Sequence, residues 1–431
     1  MTARALTRAL TLALTLAPTR ASANALDTFG YSARAAGVAG ALVAGAEGYE
    51  GAHHNPALVA ATGDVQAALG YSYTATQLHI GGADALVTTP RGTSLGLAIP
   101  FQLGPVTAAF GVALYIPDQF VVRIQLVPAA EPHFVLLDDN LQHIVVTPVA
   151  ALRWRWLAFG AGATILADAA GNGITFDVGV IGGDKVGKAQ LDVALPTRAA
   201  PVLGIAAEPV RGLKLGAAWR GEIDLGLKLD ILANVDIAGA ITGDTLISLR
   251  AVNFFTPHKV SFGAAAELGR GLTVHGEFDW LGWSRFNGAL PDLRVLLNLG
   301  LSPPLVEALF PRARFNDSFA VRVGAEFRHQ ATELIGFVGR LGYAYEPTPV
   351  PEQRGLTNFA DNDRHVIAFG AGVVVDRIGN VLRKPLSLDL ALQLHELAPR
   401  ATDKDRRYFP GGQLSSSGRM VHFQATLEAR F

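Results

Sequence analysis

The sequence predicts an all-β protein: a 14-stranded antiparallel transmembrane β-barrel with an N-terminal hatch, or plug, inside its lumen. Three observations predict it. Only 17% of the 431 residues are charged, against roughly a quarter in soluble proteins. No apolar run reaches the roughly 18 residues that a membrane-spanning helix needs. Segment after segment instead alternates apolar and polar residues, the mark of a strand with unlike faces. A hydrophobic chain without such helices can still cross a bilayer as a closed barrel, whose backbone polar groups are all satisfied internally.

Residues 1–25 read as a secretory signal peptide. Arg4 and Arg8 form its positive end, "LTLALTLA" its apolar middle, and "ANA" at 23–25 its small-residue cleavage site, with a cut after Ala23 or Ala25. Loss of its three arginines takes the formal net charge from −1 to −4. So mild a balance gives no reason to expect nucleic acid as a partner. The chain has no cysteine, which excludes a disulfide scaffold and any thiolate metal site. Secretion together with membrane-like hydrophobicity points to the outer membrane of a Gram-negative cell.

Residues 26–62 are rich in Gly and Ala and lack alternation, so they are expected to fold compactly inside the barrel as the hatch. The barrel itself is assigned to 63–431. Its strands are expected at about 64–77, 93–103, 105–116, 142–154, 156–167, 189–208, 212–231, 246–268, 272–286, 318–329, 334–346, 363–376, 385–398 and 419–431. The clearest is 213–231. Leu213, Leu215, Ala217, Trp219, Ile223 and Leu225 fall on one face there, with Lys214, Arg220, Glu222 and Asp224 on the other. The last is "MVHFQATLEARF", where Val421, Phe423, Leu427 and Phe431 oppose His422, Gln424 and Thr426.

Connections alternate in length. Short ones at 104–105, 211–212, 269–271 and 329–333 read as periplasmic turns. Long ones at 117–141, 168–188, 287–317, 347–362 and 399–418 read as extracellular loops. In the third of these, "SPPLVEALF" is expected to start a short helix at Pro303 and Pro304. An even strand number puts both chain ends on the periplasmic side.

Several residues invite a binding role. Arg220 and Arg340 point inward and are candidate substrate-binding cations, able to hold a carboxylate in an apolar cavity. Pairing with lumen acids such as Glu222, Asp224 or Glu326 is the competing role. Lys185 and Lys188 could attract anions at the outer rim, or be solvated loop charges. Trp154, Trp156, Trp219, Trp280 and Trp283 are read as interfacial anchors of the membrane girdle. "GAGAT" at 160–164 and "GAGVV" at 370–374 precede no helix, so they are strand glycines and not a dinucleotide loop. No Gly-x-Ser-x-Gly elbow is present, and "HEL" at 395–397 lacks the second His of a zinc helix.

On three further stretches the chain resembles the FadL family, outer-membrane channels for long-chain fatty acids and related hydrophobic compounds. "GYSARAAGVAGALVAGAEGYEGAHHNPALVA" is similar to that family's hatch, with its Asn-Pro-Ala motif at Asn55, Pro56 and Ala57. "DWLGWSRF" at 279–286 resembles its Trp/Ser/Phe strand. "GYAYEPTPVPEQ" with "ADNDRHVIAFGAGV" resembles its Pro-x-Pro loop (Pro349, Pro351) and the Asp-x-Asp-Arg lead (Asp361, Asp363, Arg364) into a Gly-rich strand. His53-His54 departs from the pattern. The resemblance implies capture of a hydrophobic ligand outside, passage to a lumen pocket, and sideways release through a gap at a kinked third strand. Gly111 is the weak point of that strand here. It further implies a monomer without cofactor or metal. Its partners would be the ligand (a long-chain fatty acid or other hydrophobic small molecule), outer-membrane lipid and lipopolysaccharide, and the barrel assembly machinery, which reads the terminal aromatic. The motif at 55–57 is read as shaping the hatch. A lipase-like barrel enzyme and a general diffusion porin are the alternatives.

Overall fold

The computed structural model describes residues 25–85, 87, 89–118, 130–138, 143–166, 174–179, 186–191, 197–237, 241–286, 292–298, 305–308, 314–377, 383–407 and 409–431. Nearly all of the expected signal peptide, and Lys185, lie outside these.

Fourteen antiparallel strands form one closed sheet. In chain order they are β1 (Gln66–Ile80), β2 (Arg91–Leu103), β3 (Val106–Pro117), β4 (Val145–Trp154), β5 (Leu157–Leu166), β6 (Arg198–Val210) and β7 (Leu213–Arg220). The second half comprises β8 (Lys259–Gly269), β9 (Leu272–Leu281), β10 (Ser318–Gln330), β11 (Ile335–Glu346), β12 (Arg364–Val375), β13 (Leu386–Asp403) and β14 (Gln413–Arg430). Each pairs with its neighbours in sequence, and β1 closes the ring against β14, from Gln66↔Arg430 to Ile80↔Ser416. A two-residue strand, Ala83–Asp84, hangs off β1.

Alternation becomes inside and outside. On β14, Val421, Phe423 and Leu427 face outward and exposed, while His422, Gln424 and Thr426 are buried in the lumen. The outer wall carries Leu69, Phe110, Phe159, Leu203, Phe262, Val323, Leu341 and Leu392 in the same way, a surface that suits hydrocarbon and not water. Trp154, Trp156 and Trp280 stand exposed at strand ends, as girdle residues do.

Three expectations are corrected. The long strands expected at 189–208, 212–231 and 246–268 are each divided. Residues 189–191 belong to Val186–Leu191 while the barrel strand begins at Arg198; Gly221 and Glu222 interrupt 212–231, and Pro257, which has no N–H for the ladder, interrupts 246–268 with His258. Beyond the breaks, Ile223–Ile237 and Ile241–Thr256 join Ile174–Gly179, Val186–Leu191 (which holds Lys188), Asp292–Asn298 and Leu305–Ala308 in a separate six-stranded sheet at the long-loop end. Residues 305–308 are therefore strand where a helix was expected; the rest of the 301–310 stretch lies outside the described residues.

Trp283 is the second correction. Gly282 turns the chain into a single 3-10 turn, Trp283–Arg285, and Trp283 is fully buried instead of anchoring at the interface. The third concerns the gap expected in the wall at β3, where the pairing is unbroken. The β3 ladder runs without a skipped pair against β2 (Leu103↔Val106 to Gly92↔Pro117) and against β4 (Val106↔Trp154 to Tyr115↔Val145). Gly111 serves a different purpose: a Cβ there would lie 2.7 Å from Val59 Cγ1, so the glycine admits the N-terminal segment.

Candidate functional site

Residues 25–62 fold within the ring as short helical turns: Ala25–Phe29, Ala33–Gly37, Gly48–Glu50, Gly51–His54 and Pro56–Ala61. Ser32 caps the second, accepting from Ala35 N at 3.0 Å. Asn55 organises the last. Its Oδ1 accepts from Ala57 N at 3.1 Å, while Nδ2 donates to Val43 O at 2.8 Å and to Ile205 O of β6 at 3.0 Å. Pro56 occupies the first position of the turn, where a missing N–H costs nothing. The wall makes room with glycine. A Cβ on Gly204 would sit 2.0 Å from Asn55 Oδ1, and one on Gly160 2.2 Å from Pro56 C.

Charge ties the segment to the wall. Arg34 reaches Glu50 Oε2 and Glu326 Oε1 at 2.7 Å each. Glu326 also takes Arg340 Nε at 2.9 Å, and Arg340 Nη1 reaches Asp389 Oδ1 at 2.5 Å. A second cluster links Arg322 to Asp279 (3.1 Å) and Glu346 (2.5 Å), and donates Arg322 Nη1 to Ala39 O at 3.1 Å. Such buried pairs are costly to break, because the survivor is left charged in a dry interior. Arg340 thus sits in the first cluster, held by two carboxylates.

Arg220 lies elsewhere. It pairs neither with Glu222 nor with Asp224 but with Asp27 of the inserted segment, Nη1 to Oδ1 at 3.0 Å, and donates Nη2 to His53 O. Lys259 Nζ stands 3.9 Å from the same Asp27 oxygen, and His53 Nε2 3.8 Å. His53 stacks on Tyr31 and meets His54 edge-on. Asp27, His53, His54, Arg220, Lys259 and Arg322 line a cavity of about 30 Å³, together with Trp219, which was expected at the membrane girdle. A second of about 10 Å³ adjoins it, and Leu26, Phe29 and Gly30 line both. Phe29 stacks on His422 with ring centroids 4.7 Å apart. The tip 26–29 therefore presents a carboxylate to cations, with apolar side chains around it. Sequence reading missed Asp27; its one signal was an acid set between Leu26 and Phe29 just past the expected cleavage site.

At the long-loop end lies an apolar cluster: Trp283, Phe255, Phe286, Phe315, Phe359 and Val350 among its members. Phe255 stacks on Phe286 (5.0 Å) and Phe286 meets Phe315 edge-on (4.9 Å). Trp283 Nε1 has no hydrogen-bond partner among the described residues. The Pro-x-Pro loop folds over this mouth. Thr348 N donates to Asp363 Oδ1 at 2.9 Å, Arg364 Nε to Glu346 Oε2 at 2.9 Å, and Arg400 Nη1 to Val350 O at 2.8 Å. Lys404 Nζ donates to Gly355 O and Thr357 O, and Phe359–Ala360 pairs with His133–Phe134. Asp361 is buried with Oδ2 unpartnered, and burial raises its pKa to about 6.

The wall's pairing is interrupted at several places: register shifts at Ala207/Val210, Glu267/Gly269 and Leu397/Arg400, and a skip within β4 and β5. Between β4 and β5 the ladder passes from Val146↔Ile165 to Val149↔Gly162, skipping Thr147 and Pro148. Pro148 has no N–H to give. The hydroxyls of Thr147 and Thr164, both buried in the lumen, meet at 3.3 Å instead. Pro148 lies beside Val112 of β3, and Ala163 beside Pro201 of β6. Buried Val145, Val149 and Leu166 put the main apolar interior directly behind this point.

An apolar wall, a charged lumen and a segment folded within it define the class: a plugged transmembrane β-barrel. The chain has the fold of the FadL-type channels. A FadL homologue from Pseudomonas aeruginosa superposes with a TM-score of 0.60 at 15% identity, covering 96% of this chain and all of that one. The CymD monoaromatic hydrocarbon channel (TM-score 0.53, 14% identity, 94% and 98%) and the Pseudomonas putida toluene transporter TodX (0.53, 15%, 93% and 98%) also align. No family model and no curated protein matches the sequence.

Proposed function

We propose that the protein is an outer-membrane channel for passive uptake of long-chain fatty acids or other hydrophobic compounds in a Gram-negative cell. Two of the structural neighbours are by their names a monoaromatic hydrocarbon channel and a toluene transporter, which supports the class. The observation that carries the ligand reading is the tip at 26–29. Asp27 places a carboxylate against Arg220 and Lys259 while Leu26 and Phe29 fill the space around it, which is the imprint of a fatty carboxylate and its chain. A fatty acid would displace this tip. It would gain charge-assisted hydrogen bonds at Arg220 and about 0.8 kcal/mol per methylene removed from water.

Entry uses the aromatic cluster around Trp283, whose unpaired indole N–H offers a donor in an apolar setting. The inserted segment is the hatch that keeps small polar solutes out. Exit is sideways into the bilayer through the β4–β5 interruption, in place of the β3 kink that the resemblance implied. No energy source is needed beyond the downhill gradient. Arg340, held by two carboxylates, is a lumen-wall tie in this reading and not a ligand contact.

Two measurements test this. Native mass analysis of protein purified in mild detergent should show a bound amphiphile. Arg220→Ala should weaken oleate binding about tenfold, near 1.4 kcal/mol, and Asp27→Asn should strengthen it by removing the internal competitor. Finding no bound amphiphile, together with a large steady conductance and free passage of sugars, would favour a diffusion porin and overturn the reading.

A further inference from the structure

The outer wall is not uniformly covered by side chains. On the faces of β10 to β13 nearest the short turns, a concavity of about 480 Å³ opens outward. Its floor is Gly339 and Ala371, which stand opposite each other across β11 and β12. Phe327 and Phe337 wall it on one side, Val373, Leu388 and Leu390 on the other. The groove exists because the floor carries no bulk: a Cβ built on Gly339 meets nothing within 4 Å. The lining is almost wholly apolar, and on a membrane barrel only lipid can lie against it.

Its rim differs in kind. His329, directly across the ladder from Phe337, lines the groove on the short-turn side. Arg377 follows the end of β12 by two residues, keeps the outward parity of Val373 and Val375, and is exposed. Among the described residues Arg377 makes no ion pair, and its neighbour Asp376 is engaged by Gln330 Nε2 at 3.1 Å. Exposed Arg383 stands at the far end of the same turn. An apolar trough with basic side chains at its short-turn end has the chemistry of an acyl chain with an anionic headgroup. Apolar lining alone would give no preference, since bilayer hydrocarbon is equally apolar; the cations supply it.

We propose that this groove is a specific site for one anionic phospholipid of the leaflet at the short-turn end, acyl chain along Gly339 and Ala371, phosphate toward His329 and Arg377. The site is separate from the lumen cavity and does not depend on what the channel carries.

The test reconstitutes the full barrel in nanodiscs of equal phosphatidylethanolamine and phosphatidylglycerol and reads retained lipid by native mass spectrometry. One phosphatidylglycerol should be retained in preference to phosphatidylethanolamine. Gly339→Leu, whose side chain projects into open space, should lower that retention about tenfold; Ala371→Leu should do the same from the facing strand. Arg377→Ala should reduce the preference about fivefold, the weight of one surface cation near an anionic leaflet. Folding of each variant is checked by heat-modifiable gel migration. Equal retention of both lipids by the unmodified protein, no retained lipid, or retention unchanged by both groove-filling substitutions overturns the proposal.

Discussion

Asp361 shows what a single buried side chain does to the mouth. Its carboxyl is enclosed by the Pro-x-Pro loop with one oxygen unpartnered, and burial raises its pKa to about 6, above the roughly 3.9 of a free aspartate. Between those values the closed loop keeps a proton that the opened loop releases. Closure is therefore strongest below pH 4 and weakens as pH rises through 6. Hydrogen exchange across 347–362, corrected for its intrinsic pH dependence, should slow from pH 7 to pH 5. In Asp361→Asn the difference should vanish; a pH response that survives the substitution would place its origin elsewhere. Single residues were also where sequence reading was weakest. Arg220 was legible as an inward cation because parity fixes its face, but its partner Asp27 lies 193 residues away, beyond any local pattern. Trp283 has the spacing of a girdle residue, and only the turn at Gly282 puts it inside.

Among the elements, β4 and β5 are the pair to test. If a ligand leaves where the ladder skips Thr147 and Pro148, a bond across that point should stop it. The chain has no cysteine, so Thr147→Cys with Thr164→Cys introduces one pair at positions whose hydroxyls now meet at 3.3 Å, a separation compatible with a disulfide. Uptake of a fluorescent fatty acid should fall when the pair is oxidised and return on reduction. Equal uptake in both states would move the exit elsewhere. Strands were the most legible feature, since lipid on one side and a polar lumen on the other impose strict alternation. The same rule hid the breaks after β7 and before β8, because alternation continues into the second sheet and says nothing about which neighbours a strand has.

For the whole molecule, the inserted segment is tied to the wall by charge as well as by apolar burial. Arg34 bridges Glu50 of the segment to Glu326 of β10, so Arg34→Ala leaves a buried carboxylate unpaired at a cost of roughly 3–5 kcal/mol. Single-channel recordings should then show stepwise openings that the unmodified protein lacks, and sugar-driven liposome swelling should rise. A silent variant would mean that the other ties, Asp27 to Arg220, Ala39 to Arg322 and the contacts of Asn55, hold the segment without Arg34. The interior location of residues 26–62 was readable from what they lack, but the ionic contacts were not, because each joins distant strands.

The seam between β1 and β14 has one more consequence. Those strands flank the other twelve strands of the ring, so it is completed by the wall contact most remote in sequence, a slow event on loop-entropy grounds. Residues 25–62 precede β1 and end up enclosed. They run on into β1, one of the two strands that make the seam, so the stopper is tethered to the vessel at the joint where its wall closes.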